Sequence, residues 1–104
     1  MKSNLKTAEE YYLGWETSDR SLLKLSPSLK FSSPDDKFSS AEEYLNACWK
    51  YSGMKFHNKI ILAEGDNVCI KYEIKMPGGK MKPFVEWLTF SGGVINEIMV
   101  FYEK

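Results

Sequence analysis

Residues 81–102, MKPFVEWLTFSGGVINEIMVFY, are the stretch that decides the fold. Paired glycines favour tight hairpin turns, so Gly92-Gly93 predicts two antiparallel strands, Met81 to Ser91 and Val94 to Tyr102. Successive side chains of a strand point to opposite faces. In this hairpin both faces are largely apolar. Because an antiparallel sheet commonly leaves one polar face in water, two apolar faces indicate that both are covered.

One face of the hairpin is expected to pack towards helices and to line a pocket. It carries Phe84, Leu88 and Phe90 around a single carboxyl group, that of Glu86. Desolvation in such surroundings raises the pKa of a carboxyl group and favours its neutral form. Glu86 is therefore the leading candidate for a ligand contact, and a structural hydrogen bond to a lysine or a tyrosine explains it equally well. The residues expected to line the pocket are Trp15, Ser33, Phe84, Leu88, Asn96, Ile98, Val100 and Tyr102.

The other face of the hairpin has no evident cover in a chain of 104 residues. An exposed apolar patch of this kind marks an association site. We therefore expect a homodimer that forms through the outer face of the sheet. The residues assigned to this dimer face are Val85, Trp87, Ile95, Met99 and Phe101.

Two further strands precede the hairpin and extend it into an antiparallel meander. They run from Lys55 to Ala63 and from Val68 to Lys75, on either side of a turn at residues 64–67. Pro77-Gly78-Gly79 then turns the chain into the hairpin. The second of these strands alternates apolar and charged residues, which predicts one buried and one solvated face. Its apolar residues are Val68, Ile70, Tyr72 and Ile74.

Two helix starts are marked by capping boxes, in which a hydroxyl residue and a glutamate satisfy free backbone amides. They are Thr7-Ala8-Glu9-Glu10 and Ser40-Ala41-Glu42-Glu43. After the first box, apolar residues recur at helical spacing and predict one buried stripe. The members of this stripe are Ala8, Tyr11, Tyr12 and Trp15.

Two shorter elements lie between these helices. A short helix is predicted to start at Ser18 or Asp19, with an apolar face of Leu22, Leu23 and Leu25. It is predicted to end at Pro27, because proline restricts the residue before it. Residues 29–33 alternate apolar and polar side chains, which is typical of a strand. Helices followed by an antiparallel meander indicate an α+β fold. The length fits a single domain that spans residues 1–104.

The composition excludes several classes of function. Basic and acidic residues number 14 each, and Arg20 is the only arginine, whereas nucleic-acid-binding proteins usually carry a basic excess. No apolar run approaches the ~20 residues that span a bilayer. Since residues 1–7 also lack the apolar stretch of a signal peptide, we expect a cytoplasmic protein without membrane contact. One histidine and two distant cysteines offer no metal site, and we expect no cofactor.

Motifs along nearly the whole chain resemble those of one superfamily. Residues 11–15 (YYLGW), 63–68 (AEGDNV) and 90–97 (FSGGVINE) occur in the order in which similar segments occur in SnoaL-like and ketosteroid-isomerase-like proteins. Those proteins belong to the nuclear-transport-factor-2-like (NTF2-like) superfamily. The resemblance implies a cystatin-like cone, in which N-terminal helices pack on a strongly curved antiparallel sheet. Because this fold hosts many activities, the resemblance indicates the fold more than the function.

The same resemblance assigns roles to individual residues. Tyr11 falls where ketosteroid isomerases keep the tyrosine of their oxyanion hole, and Glu86 falls where they keep a protonated carboxylic acid. The position of their catalytic aspartate is occupied here by Ser33, which cannot transfer a proton in that role. Tyr11 and Glu86 are therefore the candidate catalytic residues, and their chemistry would be that of a lyase or an isomerase.

Three functions are compatible with these features. The favoured one is binding of a small, largely apolar molecule, because ligand pockets usually combine apolar walls with a few polar groups. The second is an enzyme that uses Tyr11 and Glu86 for proton transfer or oxyanion stabilisation. The third is a protein-interaction module whose pocket is filled by its own side chains. An internal cavity beside Glu86 would separate the first two from the third.

Overall fold

A six-stranded sheet covered by helices makes up this computed structural model, which describes residues 2–104. The strands are ordered β2-β1-β6-β5-β4-β3 across the sheet. Single 3-10 turns, Arg20–Leu22 and Trp49–Tyr51, follow the two α-helices. The predicted α+β class is confirmed. In chain order the elements are α1 (Asn4–Thr17), β1 (Leu25–Ser32), β2 (Lys37–Phe38), α2 (Ala41–Cys48), β3 (His57–Glu64), β4 (Asn67–Lys75), β5 (Met81–Ser91) and β6 (Val94–Phe101).

Helix α1 begins about one turn earlier than predicted. Its N-cap is Ser3, whose Oγ accepts a hydrogen bond from the Lys6 amide at 3.1 Å. Thr7 lies buried inside the helix, so the capping box predicted there is wrong. The helix ends at Ser18, which adopts the left-handed conformation and donates its amide to the Gly14 carbonyl. The predicted stripe is confirmed as buried: Ala8, Tyr11, Tyr12 and Trp15.

The short helix predicted after α1 is largely wrong. Only Arg20–Leu22 form a 3-10 turn, and Leu25 already begins β1. Pro27 lies inside β1, where the register with β6 shifts between Leu25 and Lys30. A proline has no amide to donate, and a strand tolerates it where the ladder is irregular. The spacing of the leucines alone did not distinguish a helix from a turn that leads into a strand.

Helix α2 starts as its capping motif predicts. The Ser40 Oγ accepts a hydrogen bond from the Glu43 amide at 3.1 Å. The Glu43 carboxylate in turn accepts from the Ser39 amide at 2.8 Å, one residue before the N-cap. The end of this region is tied to the first helix, because the Gly53 amide donates to the Trp15 carbonyl at 2.7 Å. The cap therefore defines the start of α2, and the Gly53 amide links the segment after α2 to α1.

The three predicted hairpins are all present. Strand β3 pairs with β4, β4 with β5, and β5 with β6, each antiparallel. The sheet departs from a pure meander at its other side, where β1 pairs with β6 in parallel. The two-residue strand β2 was not predicted, because so short a strand carries no periodic signal. The sheet is therefore mostly antiparallel, as expected, with one parallel pair.

A β-bulge in β6 changes which of its side chains face the core. The two closing strands keep one register as far as Thr89 opposite Glu97, and after that Phe90 lies opposite Ile95. Asn96 is the extra residue, and the alternation of faces restarts at such a bulge. Ile95 is 0% exposed and belongs to the core. The prediction that Ile95 lies on the outer dimer face is therefore wrong.

The outer face of the sheet carries several exposed apolar side chains. Trp87 lies between Cys69 on β4 and Met99 on β6, and Val85 lies opposite Phe101. Strand β3 extends this surface with Leu62, which lies opposite Cys69 and is 69% exposed. We refer to these exposed residues as the outer patch: Ile60, Leu62, Val85, Trp87, Met99 and Phe101.

In the part of the chain that the structure describes, no helix has the length and apolar character needed to cross a bilayer. The cytoplasmic location expected from the sequence stays a prediction.

Candidate functional site

A cavity of about 540 Å³ lies between the helices and the inner face of the sheet. Ten aromatic side chains line it, and they come from both helices and from strands on both sides of the cavity. The lining also contains three acidic residues, Asp35, Asp36 and Glu86, and one basic residue, Lys82. The cavity is thus largely apolar, with an excess of acidic over basic groups.

Glu86 lies at the centre of the polar groups in this cavity. Its side chain is only 8% exposed. Its two carboxyl oxygens accept separate hydrogen bonds, from the Tyr12 hydroxyl at 2.8 Å and from the Tyr72 hydroxyl. Burial raises the pKa of the Glu86 carboxyl, and the hydroxyls of Tyr72 and Tyr12 partly oppose this shift because they stabilise the ionised form. Glu86 is therefore a buried acid held by two tyrosine donors.

Both tyrosines remain protonated donors. Burial raises the pKa of Tyr12 well above its usual range, and the nearby charge of Glu86 raises it further. The same two causes raise the pKa of Tyr72. Neither phenol loses its proton at ordinary pH, so each hydroxyl can stabilise the Glu86 carboxylate.

Among the described residues, Tyr11 makes no hydrogen bond to Glu86. Its hydroxyl instead shares a 2.5 Å hydrogen bond with the hydroxyl of Tyr44 on α2. In such a pair one hydroxyl donates its proton to the other. The second hydroxyl keeps its own proton and can donate it to a different acceptor. Beside them, the Trp15 Nε1 is buried without a hydrogen-bond partner among the described residues. This side of the cavity therefore offers hydrogen-bond donors, and the Glu86 side offers an acceptor.

One part of the cavity mouth is polar and charged, whereas the exposed lining residues Tyr51, Met54 and Met76 lie elsewhere along its edge. The Ser33 Oγ accepts hydrogen bonds from the amides of Asp35 and Asp36 at 3.3 and 3.0 Å and so closes the turn after β1. The Asp35 carboxylate accepts a hydrogen bond from the Tyr102 hydroxyl and lies 3.3 Å from the Lys104 ammonium. These contacts hold the C-terminal segment at the mouth and lower the pKa of Asp35.

Comparison with known proteins adds information on the fold. No protein-family model and no curated protein matches the chain. An NTF2-like protein of unknown function from Cytophaga hutchinsonii is 20% identical, with a TM-score of 0.85 over 99% of this chain and 92% of its own. A provisionally assigned ketosteroid isomerase from Kribbella flavida is 14% identical, with a TM-score of 0.85 over 97% and 78%. A provisionally assigned SnoaL-like polyketide cyclase from Jannaschia is 17% identical, with a TM-score of 0.79 over 96% and 85%.

The similarity to these structures over nearly the whole chain identifies the fold. This chain has an NTF2-like fold. The resemblance predicted from the motifs is thereby confirmed for the fold. At such low sequence identity the comparison does not indicate which reaction or ligand this chain has, because one fold supports many functions. The function must be argued from the cavity of this NTF2-like domain itself.

Five of the eight residues predicted to line the pocket do line it: Trp15, Ser33, Phe84, Val100 and Tyr102. Leu88 and Ile98 are fully buried in the core instead, on the part of the closing hairpin nearer the Gly92-Gly93 turn. Asn96 is displaced by its place in the β6 bulge and does not line the cavity. The cavity of the NTF2-like domain thus lies along the part of the predicted inner face that is distant from the Gly92-Gly93 turn.

A tyrosine partner for Glu86 was one of the alternatives left open by the sequence, but Tyr12 and Tyr72 were not identified individually. Tyr12 was assigned to the core, because it belongs to the same apolar stripe as Tyr11. For Tyr72, the pairing of β4 with β5 would have indicated the contact. Ile70 lies opposite Glu86, and Tyr72 is the next residue of β4 on the same face. Neighbours on one face of paired strands come within reach of long aromatic side chains. A tyrosine there has an obvious hydrogen-bond partner in a buried carboxyl group.

The described residues contain no group of three histidine, cysteine or acidic side chains arranged to hold a metal ion. Cys48 lies at the cavity wall, and burial raises the pKa of its thiol. The buried polar groups that line the cavity are the Glu86 unit, the Tyr11–Tyr44 pair and the Trp15 indole.

Proposed function

We propose that this domain binds a small, largely apolar molecule in the cavity beside Glu86. The observation that carries the proposal is a cavity of about 540 Å³ whose wall is mainly aromatic and whose polar groups are few. Ligand pockets typically measure roughly 300–1,000 Å³ and share this composition. Apolar walls supply affinity through burial, and the few polar groups orient the ligand.

The cavity also weighs against a domain whose pocket is filled by its own side chains. Tyr12, Tyr72 and Phe84 surround Glu86, yet these large rings leave the space next to the carboxyl group open. A filled pocket would have placed side chains there. This open space therefore weighs against the protein-interaction module, which was defined by a pocket filled with its own side chains.

Two matched substitutions test the binding proposal. Val100 lies opposite Glu86 and lines the cavity, so Val100→Phe should fill it and abolish binding. Val85 lies on the other face of the same sheet, and Val85→Phe should leave binding unchanged. Ligands are found by thermal shift over classes of apolar metabolites, and affinities are measured by calorimetry. Binding that survives Val100→Phe with unchanged affinity would contradict the proposal.

An enzyme is the second candidate function. The observation in its favour is that Glu86 is a buried acid with a raised pKa in a cavity that opens to solvent, which is a common property of proton-transfer residues. Solved proteins of the same fold include provisionally assigned isomerases and cyclases. The Tyr11 hydroxyl and the Glu86 carboxyl group already have other hydrogen-bond partners, which argues against a shared oxyanion hole.

The enzyme hypothesis has its own test. If the domain is a lyase or an isomerase, Glu86→Gln should lose turnover while the protein stays folded, because the amide cannot exchange the proton. Tyr11→Phe should also reduce turnover if its hydroxyl stabilises an oxyanion. The substrates to assay are those that the thermal-shift screen identifies. Unchanged turnover in both variants would eliminate Tyr11 and Glu86 as catalytic residues.

We also propose that the outer patch pairs two copies of this chain. Its large side chains are exposed in the single chain, with Trp87 at 44% and Leu62 at 69%, and apolar patches of this kind mark protein contacts. The face also carries both signs of charge, with Lys71 beside Val85 and Glu97 beside Thr89. A two-fold pairing brings one surface against itself, and mixed charges make that surface compatible with its own copy.

A further inference from the structure

We propose that the ligand of this cavity carries a protonated amine on an apolar body, with the nitrogen bound beside Glu86. The inference rests on the binding function proposed above and names the chemical class of the ligand. Three independent features support it: the charge of the carboxyl group, the aromatic rings around it and the balance of charges along the cavity.

The first feature is a carboxyl group without a counter-charge. In residues 2–104 no ion pair involves Glu86, although its side chain is more than nine-tenths buried. Its hydrogen bonds come from two neutral hydroxyls, those of Tyr12 and Tyr72. A carboxylate offers about four acceptor sites, so both oxygens can accept a further bond. A ligand ammonium group would supply the missing positive charge together with N–H donors.

The second feature is the set of aromatic rings around this carboxyl group. Tyr72 stacks on Phe84 with ring centroids 5.4 Å apart, and Phe56 meets Tyr72 edge-on at 4.7 Å. Tyr12 meets Phe56 at 5.3 Å and completes the group. Cations are attracted to the faces of aromatic rings, and aromatic cages are a known means of binding alkylated ammonium groups. A buried carboxylate beneath such rings favours a cation with an apolar surface.

The third feature is the distribution of charge from the mouth inwards. Lys82, the one basic residue that lines the cavity in residues 2–104, places its ammonium 4.6 Å from the Tyr102 ring and 5.5 Å from the Phe84 ring. The outer end of the aromatic wall thus holds a cation of the protein itself. At the mouth, Lys82 and Lys104 equal the two aspartates, Asp35 and Asp36, in number. The acidic group that remains without a basic counterpart is Glu86, so a ligand cation is favoured at that point of the cavity.

Binding of a cation should release a proton from Glu86. A positive charge beside the carboxyl group favours its ionised form, whereas burial favours the neutral form. The other titratable groups facing it are the phenols of Tyr12 and Tyr11 on α1, Tyr44 on α2 and Tyr72 on β4, all of whose pKa values are raised. Since these stay protonated, the affinity for a cation should rise with pH as Glu86 ionises.

The alternative is a ligand that presents an oxygen acceptor instead. The Trp15 Nε1 is an unpartnered donor in the same cavity, and a neutral Glu86 could donate its own proton. The Glu86 oxygens, however, already accept from two hydroxyls, so a donated proton requires one of those tyrosines to turn its hydroxyl away. This alternative is included as an outcome of the test.

The test compares four probes of similar size by calorimetry at neutral pH. Benzyltrimethylammonium and benzyldimethylamine are cations, neopentylbenzene is the neutral carbon isostere of the first, and benzyl methyl ketone presents an acceptor. We expect benzyldimethylamine, whose protonated form has the N–H donor, to bind roughly tenfold or more tightly than neopentylbenzene. Benzyltrimethylammonium has the charge without an N–H group, so its affinity should lie between those two. Equal or tighter binding of neopentylbenzene or of the ketone would overturn this inference and leave the proposed function standing. Failure of all four probes would overturn both.

Two variants locate the preference within the cavity. Glu86→Gln should remove the preference for cations and leave neopentylbenzene binding in place, because the amide keeps the size of the side chain. Glu9→Gln removes the same charge on the exposed face of α1, outside the cavity lining, and should retain the preference. If Glu9→Gln lowered cation affinity as much as Glu86→Gln, a general effect of charge would explain the data and the site would be refuted.

Discussion

At the residue scale, Glu86 on β5 links helix α1 to strand β4, because its carboxyl oxygens accept hydrogen bonds from the hydroxyls of Tyr12 and Tyr72. Hydrogen bonds to a charged group contribute about 1.5–3 kcal/mol each, roughly twice the value for neutral pairs. The two hydroxyls thus offset part of the cost of burying a carboxylate. The carboxyl group remains available to the cavity while it also holds the wall together.

Tyr72→Phe should raise the pKa of Glu86 further, because the lost hydroxyl stabilises the carboxylate. The pKa is measured by NMR titration of the Glu86 side-chain carboxyl carbon. Tyr51→Phe is the matched control, since Tyr51 lines the cavity without bonding to Glu86. A pKa that stays the same or falls in Tyr72→Phe would show that this hydroxyl does not stabilise the charge.

At the element scale, the sequence predicted the meander β3–β6 and the start of α2 better than it predicted the start of α1 and the region of β1 and β2. Strand β5 was predicted residue for residue, because turn residues bound it at both ends. The start of α1 was misplaced, since Ser3 and Thr7 are both acceptable N-caps and local pattern does not rank them. The bulge at Asn96 and the parallel pairing of β1 depend on contacts between distant segments.

The candidate site was predictable from the sequence only in part: its central residue was, and the hydrogen-bond partners of that residue were not. Glu86 stood out because it interrupts an apolar strand face, and that face does line the cavity at Phe84 and Val100. Its partners were not predictable from helical spacing, since Tyr11 and Tyr12 are adjacent and both are buried. Only the packing of α1 on β4 and β5 determines that Tyr12, and not Tyr11, reaches the carboxyl group.

The N-cap of α2 should be a measurable contributor to stability. Ser40→Ala removes the hydroxyl that accepts from the Glu43 amide and should lower the free energy of unfolding by about 1 kcal/mol. Ser39→Ala is the control, because the hydrogen bond at Ser39 uses its backbone amide, and it should change stability by only a few tenths of a kcal/mol. Urea denaturation measures both. Equal effects would argue against the cap.

At the scale of the whole molecule, the outer patch predicts a dimer. Sedimentation should give twice the 12.0 kDa mass of one chain, and Trp87→Lys should give a monomer by placing a charge in the apolar contact. Leu13→Lys is the control, since Leu13 is similarly exposed, at 48%, but lies on α1. A wild-type protein that remains monomeric at high concentration would contradict the pairing.

The cavity is the other whole-molecule feature, because it exists only where α1, α2 and the inner sheet face meet. A crystallographic fragment screen tests most directly whether this space receives ligands. We predict electron density for bound fragments against Tyr72, Phe84 and Glu86, inside the cavity. Fragments found only on the outer patch, with side chains closing the space beside Glu86 in every crystal, would contradict the account.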